Sequence, residues 1–186
     1  MDHREIVERK LGEDLYQRLA AQAARLPRSV VGRRRADWRE VAILWHTSDA
    51  FADFYRALRA GTADDLDRAM LAALEVAFAD RPVSEVPIIR RRIRLQPCDL
   101  ERLHETHAVG KVIVLELPAS CTARGVVRIG GEVSFVIHHR SGREIDRLSL
   151  HPAEREVVLL SGTRLLVTSF IRTEELVWEI EQEELI

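Results

Sequence analysis

The chain has 186 residues, of which 46% are hydrophobic and 31% are charged, a composition typical of one globular domain or of one domain with an appendage. Its net charge of -2 and pI near 6.4 argue against a general polyanion binder, because such proteins are usually basic. No apolar run approaches the ~18 residues that a membrane span needs, so no membrane partner is expected. The two cysteines, Cys98 and Cys121, are too few for a disulfide framework and are expected to be free thiols.

The first half of the chain has the apolar spacing of helices. Residues 5–26 predict a first helix that ends before Pro27, since apolar side chains recur there every three or four residues. Asp37 is a suitable cap for a second helical stretch that breaks near residues 46–49 and stops at Gly61. Residues 62–65 resemble a capping box for a third helix. We therefore expect residues 1–84 to form a helical N-terminal part.

From Pro87 onward the apolar period changes to two, which is typical of strands. A short helix is predicted over 97–109, closed by Gly110. Residues 111–122 are predicted to form a strand pair or one long bent strand, interrupted at Pro118. The other predicted strands are 87–95, 126–129, 132–139, 145–150, 155–160, 164–171 and 175–181. The sequence thus predicts a single α+β domain over 1–186, in which the helices pack on a β-rich core formed by residues 85–186. The alternative is a helical half that docks loosely as a lid.

An arginine interrupts the apolar face of the strand over 87–95. Alternation puts Ile89, Arg91 and Ile93 on one face. It puts three other basic side chains on the opposite face: Arg90, Arg92 and Arg94. An unpaired buried guanidinium is costly, so Arg91 needs an anion, and its planar fork suits a diphosphate. Two interpretations stay open, a clamp for a ligand diphosphate and an internal ion pair with a glutamate such as Glu156.

Two further groups of polar side chains stand at the ends of predicted strands. Ser120 and Thr122 share one face after the kink at Pro118, where two hydroxyls could bond to each other, to a carboxylate and to a ribose. Glu154 and Glu156 precede an apolar run, and acids at i and i+2 of an extended chain share one face. One end of the sheet is therefore expected to present a carboxylate pair to a pocket.

In this order, the three groups resemble the arginine, serine, glutamate signature of the mono-ADP-ribosyltransferases. The resemblance covers residues 87–170, and its most specific part is the last segment. That part matches the family's order of serine, proline turn, Glu-x-Glu, apolar strand and glycine turn with Ser149, Pro152, Glu154, Glu156 and Gly162. The sequence departs from the family in two places. The family's aromatic, arginine, glycine step is Arg90-Arg91-Arg92 here, and its Ser-Thr-Ser step is Ser120-Cys121-Thr122.

The resemblance implies a split, mostly antiparallel sheet of the ADP-ribosyltransferase type and an enzyme that uses NAD as its substrate. Such an enzyme cleaves the nicotinamide-ribose bond and transfers ADP-ribose to an acceptor, with NAD glycohydrolase activity as a side reaction. Glu156 would stabilise the oxocarbenium-like charge, Ser120 would position Glu156 and the ribose, and Glu154 would orient or deprotonate the acceptor. No metal is implied.

The positions that the resemblance assigns to NAD binding are Arg91, Ser120, Thr122 and Phe135. Arg91 would hold the phosphates. Phe135, on the strand after the hydroxyl step, is the candidate to stack on nicotinamide, and its alternative interpretation is an ordinary core residue.

Glutamate at the position of Glu154 usually accompanies arginine modification in this family, so a protein arginine is favoured over a nucleic acid as the acceptor. The alternatives are a transferase acting on nucleic acid and an inactive transferase-like module that binds NAD or a partner. The resemblance extends to bacterial toxins, effectors and toxin-antitoxin members, which commonly need an antitoxin or immunity partner. The charged start, residues 2–5, lacks an apolar signal core. We expect a cytoplasmic location, or delivery to a target cell by a signal-peptide-independent route.

Histidine patterns elsewhere point less specifically to other chemistries. His104 and His107 are at i and i+3, which lacks the spacing of the zinc protease helix and favours a solvated helix face over a metal site. The His-x-Ser steps at His46 and His139 loosely resemble those of 2H phosphoesterases, but no strand frames His46.

Overall fold

The computed structural model describes residues 1–26, 36–48, 51–95, 97–124, 131–174 and 177–186, with the side chains at 97, 98, 100 and 101 excepted. Its contacts divide the chain into two compact units. The helical unit contains Met1–Arg81 together with Ile145–Ala153, and the sheet unit contains Pro82–Glu144 together with Glu154–Ile186. The segment Ile145–Ala153 thus joins the helical unit although it is far along the chain.

The helical unit is built around one helix whose last six residues are all buried. Its helices are α1 (His3–Leu11), α2 (Glu13–Ala23), α3 (Trp38–His46), α4 (Phe51–Ala60) and α5 (Asp65–Ala79). Residues 41–46 of α3 are all buried, because α1, α2 and α5 pack against it. A helical segment that is buried on all sides in this way belongs inside a unit and not on its surface.

The helix ends follow from local capping, with two differences from the sequence expectations. Asp37 caps α3 as predicted, in a capping box with Glu40. The single helix predicted over 5–26 is wrong, since the chain breaks at Gly12, where φ is +73°, a conformation that glycine adopts without steric cost. The third cap begins at Asp64, whose carboxylate accepts a hydrogen bond from the Asp67 amide at 2.7 Å, and not at residue 62.

The sheet unit contains eight described strands and one described helix. They are β1 (Ile88–Ile93), α6 (Pro97–Thr106), β2 (Val112–Val114), β3 (Ala119–Thr122), β4 (Val133–His138), β5 (Arg143–Glu144), β6 (Glu156–Leu159), β7 (Arg164–Arg172) and β8 (Trp178–Leu185). The strand order is β2-β7-β8-β4-β1-β3-β6-β5. Neighbours are antiparallel except for β4 with β8. The predicted α+β class and mostly antiparallel sheet are confirmed.

The sheet is split between β1 and β3. In the described residues these two strands share the single pair Arg90↔Thr122, whereas β1 pairs with β4 over the whole of its length. One face of the sheet carries the hydrophobic core, to which α6 contributes Leu103. The predicted site residues lie near this junction.

Three strand predictions need separate comment. The strand predicted over 145–150 is wrong, because Asp146–Leu148 forms a 3-10 turn. There the Asp146 carboxylate and the Ser149 hydroxyl accept hydrogen bonds from nearby backbone amides, which replaces pairing in a sheet. The strand predicted over 126–129 lies outside the described residues. The last strand runs four residues beyond its predicted end, to Leu185.

Buried polar residues made the end of β8 difficult to predict from the sequence. Gln182 and Glu184 occupy inward positions of this strand and are 2% and 7% exposed. The Glu184 carboxylate accepts hydrogen bonds from the amides of Arg140 and Ser141, which compensates for its burial. None of the helices in the described ranges is both long and apolar enough to cross a membrane.

Candidate active site

Three of the predicted residues meet where β1, β3 and β6 adjoin. Thr122 is the cross-strand partner of both Arg90 in β1 and Glu156 in β6, and Ser120 is the partner of Val158. Cross-strand partners share a face of the sheet, as do residues two apart on one strand. Ser120, Thr122 and Glu156 therefore lie on the same face, with Glu156 as the first residue of its strand.

Arg91 lies on the other face of β1, opposite Phe135 of β4. Ile89 is fully buried in the hydrophobic core and Ile93 packs against it, so the Arg91 guanidinium interrupts an apolar face as the alternation predicts. By register it is Arg90 that shares the face of Thr122 and Glu156. The candidate residues therefore form two groups, on either side of the split sheet.

Cys121 links the two groups electrostatically. Its thiol is free and buried, as expected for this cysteine, and burial raises the pKa of the thiol to about 12. The Arg91 guanidinium lowers that pKa and the Glu156 carboxylate raises it. The charges of both side chains therefore act on this thiol. Cys98 falls among the side chains that are not described.

The three consecutive arginines differ in their partners. Arg90 faces Glu179 at 3.7 Å from Nη1 to Oε2, and Arg92 Nε donates to the Gly131 carbonyl at 2.9 Å. Within the described part of the chain, the half-buried Arg91 guanidinium makes no hydrogen bond and no ion pair. The internal ion pair with Glu156, one of the two interpretations of Arg91, is not formed there.

The two glutamates do not share one strand face, which corrects the expectation of an extended chain through them. Glu154 ends a 3-10 turn (Pro152–Glu154), Arg155 has φ +49° and β6 starts at Glu156. The left-handed backbone of Arg155 costs ~1 kcal/mol or more for a residue other than glycine. It is held from β3, where Thr122 Oγ1 donates to the Glu154 carbonyl and the Ala123 amide donates to the Arg155 carbonyl.

The Thr122 hydroxyl is therefore already engaged in the turn. Its single proton goes to the Glu154 carbonyl, and its oxygen accepts a hydrogen bond from the Arg124 amide at 3.1 Å. A hydroxyl has one proton to donate and two lone pairs to accept with. In this arrangement Thr122 can accept a hydrogen bond from a ligand but cannot donate one.

Phe135 is a core residue with one aromatic neighbour of note. It is 9% exposed, and its ring centroid lies 5.5 Å from that of His107, the residue that follows α6. Burial lowers the pKa of His107. His104 is exposed, as expected for a solvated helix face, although its ring also contacts Phe170 and Trp178, whereas His107 is half-buried. The sequence signal for His107 is its position four residues after the buried Leu103, on the same side of the helix.

The other histidine patterns are structural. His46 is 2% exposed and packs edge-on against Phe78 at 4.9 Å between ring centroids. His139 Nε2 lies 2.6 Å from the Val86 carbonyl, and its Nδ1 accepts the Gly142 amide at 3.1 Å, which assigns a neutral ring with the proton on Nε2. Across the described ranges, no group of three or more His, Cys, Asp or Glu is arranged to hold a metal ion.

No protein-family model matches the chain. It is 24% identical, over 128 residues, to a protein of Mycobacterium avium (strain 104) that is named as the NAD(+)-arginine ADP-ribosyltransferase Mav. The aligned region is 69% of this chain but only 15% of that relative.

Solved structures share the fold over nearly the whole chain. The type III effector XopAI of Xanthomonas axonopodis pv. citri superposes with a TM-score of 0.75 at 17% identity, over 99% of this chain and 88% of the effector chain. Exoenzyme S of Pseudomonas aeruginosa, in complex with human 14-3-3 protein beta and bound to carba-NAD, gives 0.71 at 20% identity, over 98% and 86%.

The ADP-ribosyltransferase HopU1 of Pseudomonas syringae pv. Tomato gives a TM-score of 0.63 at 16% identity, over 94% of this chain and 98% of its own. The resemblance read in the sequence is confirmed at the level of the fold. The chain therefore has the fold of ADP-ribosyltransferases such as HopU1.

Proposed function

We propose that this chain is an NAD-dependent mono-ADP-ribosyltransferase whose acceptor is a protein arginine. The observation that carries the proposal is the half-buried Arg91 guanidinium, which has no protein anion among the described residues and lies on an apolar face. A cation in that environment is a suitable site for the diphosphate of NAD. The Ser120 hydroxyl and the Glu156 carboxylate lie on the adjoining strands β3 and β6.

In the proposed reaction, the bond between ribose C1′ and the nicotinamide nitrogen breaks and its electron pair leaves with nicotinamide. Positive charge then develops on C1′ and the ring oxygen, and Glu156 stabilises it. At ~4 Å and an effective dielectric of about 20, this attraction is on the order of 4 kcal/mol. If it acts mainly in the transition state, it accounts for about a thousandfold in rate. Ser120 positions Glu156 and the ribose.

The acceptor step completes the transfer. A guanidine nitrogen of the acceptor forms the new bond to C1′ and releases a proton, which the Glu154 carboxylate takes up. Glu154 is suited to this separate role because the left-handed residue Arg155 turns it out of the line of β6.

Incubation of the purified chain with NAD labelled in the adenylate part tests the proposal. We expect nicotinamide release and label on an acceptor protein, with both rates reduced about a thousandfold in Glu156→Gln. Glu85→Gln is the matched control, since Glu85 is an exposed acid of the same unit and the isosteric change there should leave both rates unchanged. Mass spectrometry of the labelled protein identifies the modified residue.

Other outcomes would redirect the assignment. Label that nuclease treatment removes would indicate a nucleic-acid acceptor, and NAD binding without turnover would indicate an inactive binding module. Equal activity in Glu156→Gln and the unmodified chain would contradict the role of Glu156.

We further propose that the chain acts as a toxin or effector in a target cell and is neutralised in its own cell by an immunity or antitoxin partner. The fold shared with type III effector XopAI supports this setting. Expression should then arrest growth of the host, and Glu156→Gln should relieve the arrest.

A further inference from the structure

The segment that leads into Glu154 is anchored to the helical unit. Ile145–Ala153 clusters with Met1–Arg81, although Glu154 itself belongs to the sheet unit. Within the segment, the 3-10 turn Asp146–Leu148 packs against α3, and its side chains Ile145 and Leu148 are 1% and 6% exposed. The residues just before the proposed acceptor-handling acid are therefore held by the buried central helix.

One hydroxyl connects that helix to the segment by hydrogen bonds. Thr47 ends α3 and is 8% exposed. Its Oγ1 donates to the Leu44 carbonyl at 3.0 Å and accepts the Leu150 amide at 3.0 Å. Carbonyls in the last turn of a helix have no partner within the helix. The Thr47 hydroxyl supplies a hydrogen-bond partner to the Leu44 carbonyl and to the Leu150 amide. This bond fixes the backbone four residues before Glu154.

The chain around Glu154 is thus held on both sides. On the other side, Thr122 Oγ1 donates to the Glu154 carbonyl and the Ala123 amide to the Arg155 carbonyl. Between these points, Pro152 restricts the backbone further. Leu150 is only four residues before Glu154, and residues 41–46 of α3 are buried. A displacement at Leu150 therefore reaches Glu154 through the covalent chain.

We propose that Thr47 is a positioning residue for the acceptor step, which sets the reach of Glu154 by anchoring the Leu150 amide. The inference rests on the proposed transferase function. It separates two activities of one site: transfer to a guanidine needs Glu154 in place, whereas hydrolysis of NAD by water depends on Glu156 and the NAD-binding residues. Thr47 should therefore affect transfer more than hydrolysis.

The test compares Thr47→Val, which keeps the shape but loses the hydroxyl, with Thr47→Ser, which restores it. Agmatine, a small guanidine, serves as the acceptor probe. In Thr47→Val we expect kcat/KM for transfer to agmatine to fall about tenfold, since small misplacements of a catalytic group are costly. NAD hydrolysis should stay within about twofold, and Thr47→Ser should recover transfer. If Thr47→Val does not fold, Thr47→Ala, which leaves space for a water molecule at the Leu150 amide, replaces it.

Two further measurements make the test specific. Hydrogen exchange at the Leu150 amide should accelerate about tenfold in Thr47→Val, whether or not an acceptor is present. In combination with Glu154→Gln, Thr47→Val should cause no additional loss of transfer, because both changes remove the same contribution.

Equal losses of transfer and hydrolysis in Thr47→Val, unchanged exchange at Leu150, or fully additive losses in the double variant would each overturn the role of Thr47 alone. Absence of NAD turnover in the unmodified chain would overturn the proposed function and with it this role.

Discussion

Arg91 carries its charge on a face of β1 that otherwise belongs to the hydrophobic core. Its neighbours Arg90 and Arg92 already have partners, in Glu179 and in the Gly131 carbonyl. A half-buried guanidinium without such a partner retains its capacity for charge-assisted hydrogen bonds to a ligand. Of these three consecutive arginines, only Arg91 is placed on the apolar face of β1, where it could bind a diphosphate.

We expect Arg91→Gln to raise KM for NAD by about 10- to 100-fold, because a hydrogen bond to a charged group contributes about 1.5–3 kcal/mol. Arg90→Gln should change KM by less than about threefold, since that guanidinium is directed at Glu179. Steady-state kinetics of nicotinamide release measure both.

A larger effect at Arg90 than at Arg91 would contradict this assignment. It would place the diphosphate on the face that Arg90 shares with Thr122 and Glu156.

At the scale of elements, the junction of β3 with the turn before β6 shapes the candidate site. The turn places a residue with a side chain, Arg155, in the left-handed region. Two hydrogen bonds from β3 hold the turn there. Backbone strain of this kind persists only where the surroundings fix it, so β3 keeps the two glutamates in different orientations.

Substitutions at Arg155 test this conformation. Arg155→Gly should leave the free energy of unfolding within about 0.5 kcal/mol, because relief of strain offsets the added freedom of the unfolded chain. Arg155→Val should lower it by about 1–2 kcal/mol, since a β-branched residue is poorly tolerated at positive φ. Urea denaturation measures both values.

Arg164 is the matched control, as an exposed arginine at the start of β7. There the order should reverse, with valine tolerated and glycine destabilising, because strands favour β-branched residues. The same order at both positions would argue against a left-handed Arg155.

At the scale of the whole molecule, we expect stability to depend on pH chiefly through the buried His46. Burial lowers the pKa of His46 to about 4 from 6.5, so the unfolded chain takes up a proton at a pH where the folded chain does not. Stability is therefore full above the unfolded pKa and is lost as pH falls from about 6.5 toward 4. From these two pKa values, the loss between pH 7 and pH 5 is about 2 kcal/mol.

Urea denaturation at pH 7 and pH 5 measures this loss, with the fluorescence of Trp38 and Trp45 reporting on the helical unit. His46→Gln should be less stable at pH 7 but should lose much less on acidification. His107, whose pKa burial also lowers, leaves a residual dependence of the same sign. The exposed His151→Gln should behave as the unmodified chain. An unchanged pH dependence in His46→Gln would show that His46 does not cause it.

Much of this architecture could be predicted from the sequence because it depends on short-range rules. The cap at Asp37, the change of period near Pro87 and the interruption at Pro118 are each expressed within a few residues. The order of arginine, hydroxyl and Glu-x-Glu elements indicated the fold that the comparisons confirm.

Buried polar groups were harder to predict, because their partners are distant in sequence. The end of β8 was missed since Glu184 is satisfied by amides more than forty residues earlier. His107 was expected on a solvated face, but it is half-buried and its ring lies near that of Phe135 on β4. The alternation of side chains also could not show that the Thr122 hydroxyl donates its hydrogen bond to the Glu154 carbonyl.

The sequence by itself determined the class of fold, the periodicity of its elements and the identity of the candidate residues. Only the tertiary structure decided that Arg155 turns between two acids, that Arg91 lacks a partner within the described ranges and that Ile145–Ala153 belongs to the helical unit. The reason is physical: periodicity and capping act over one or two turns of chain. The orientation of a carboxylate, by contrast, depends on hydrogen bonds that it and its neighbouring residues make with backbone groups far away in the sequence.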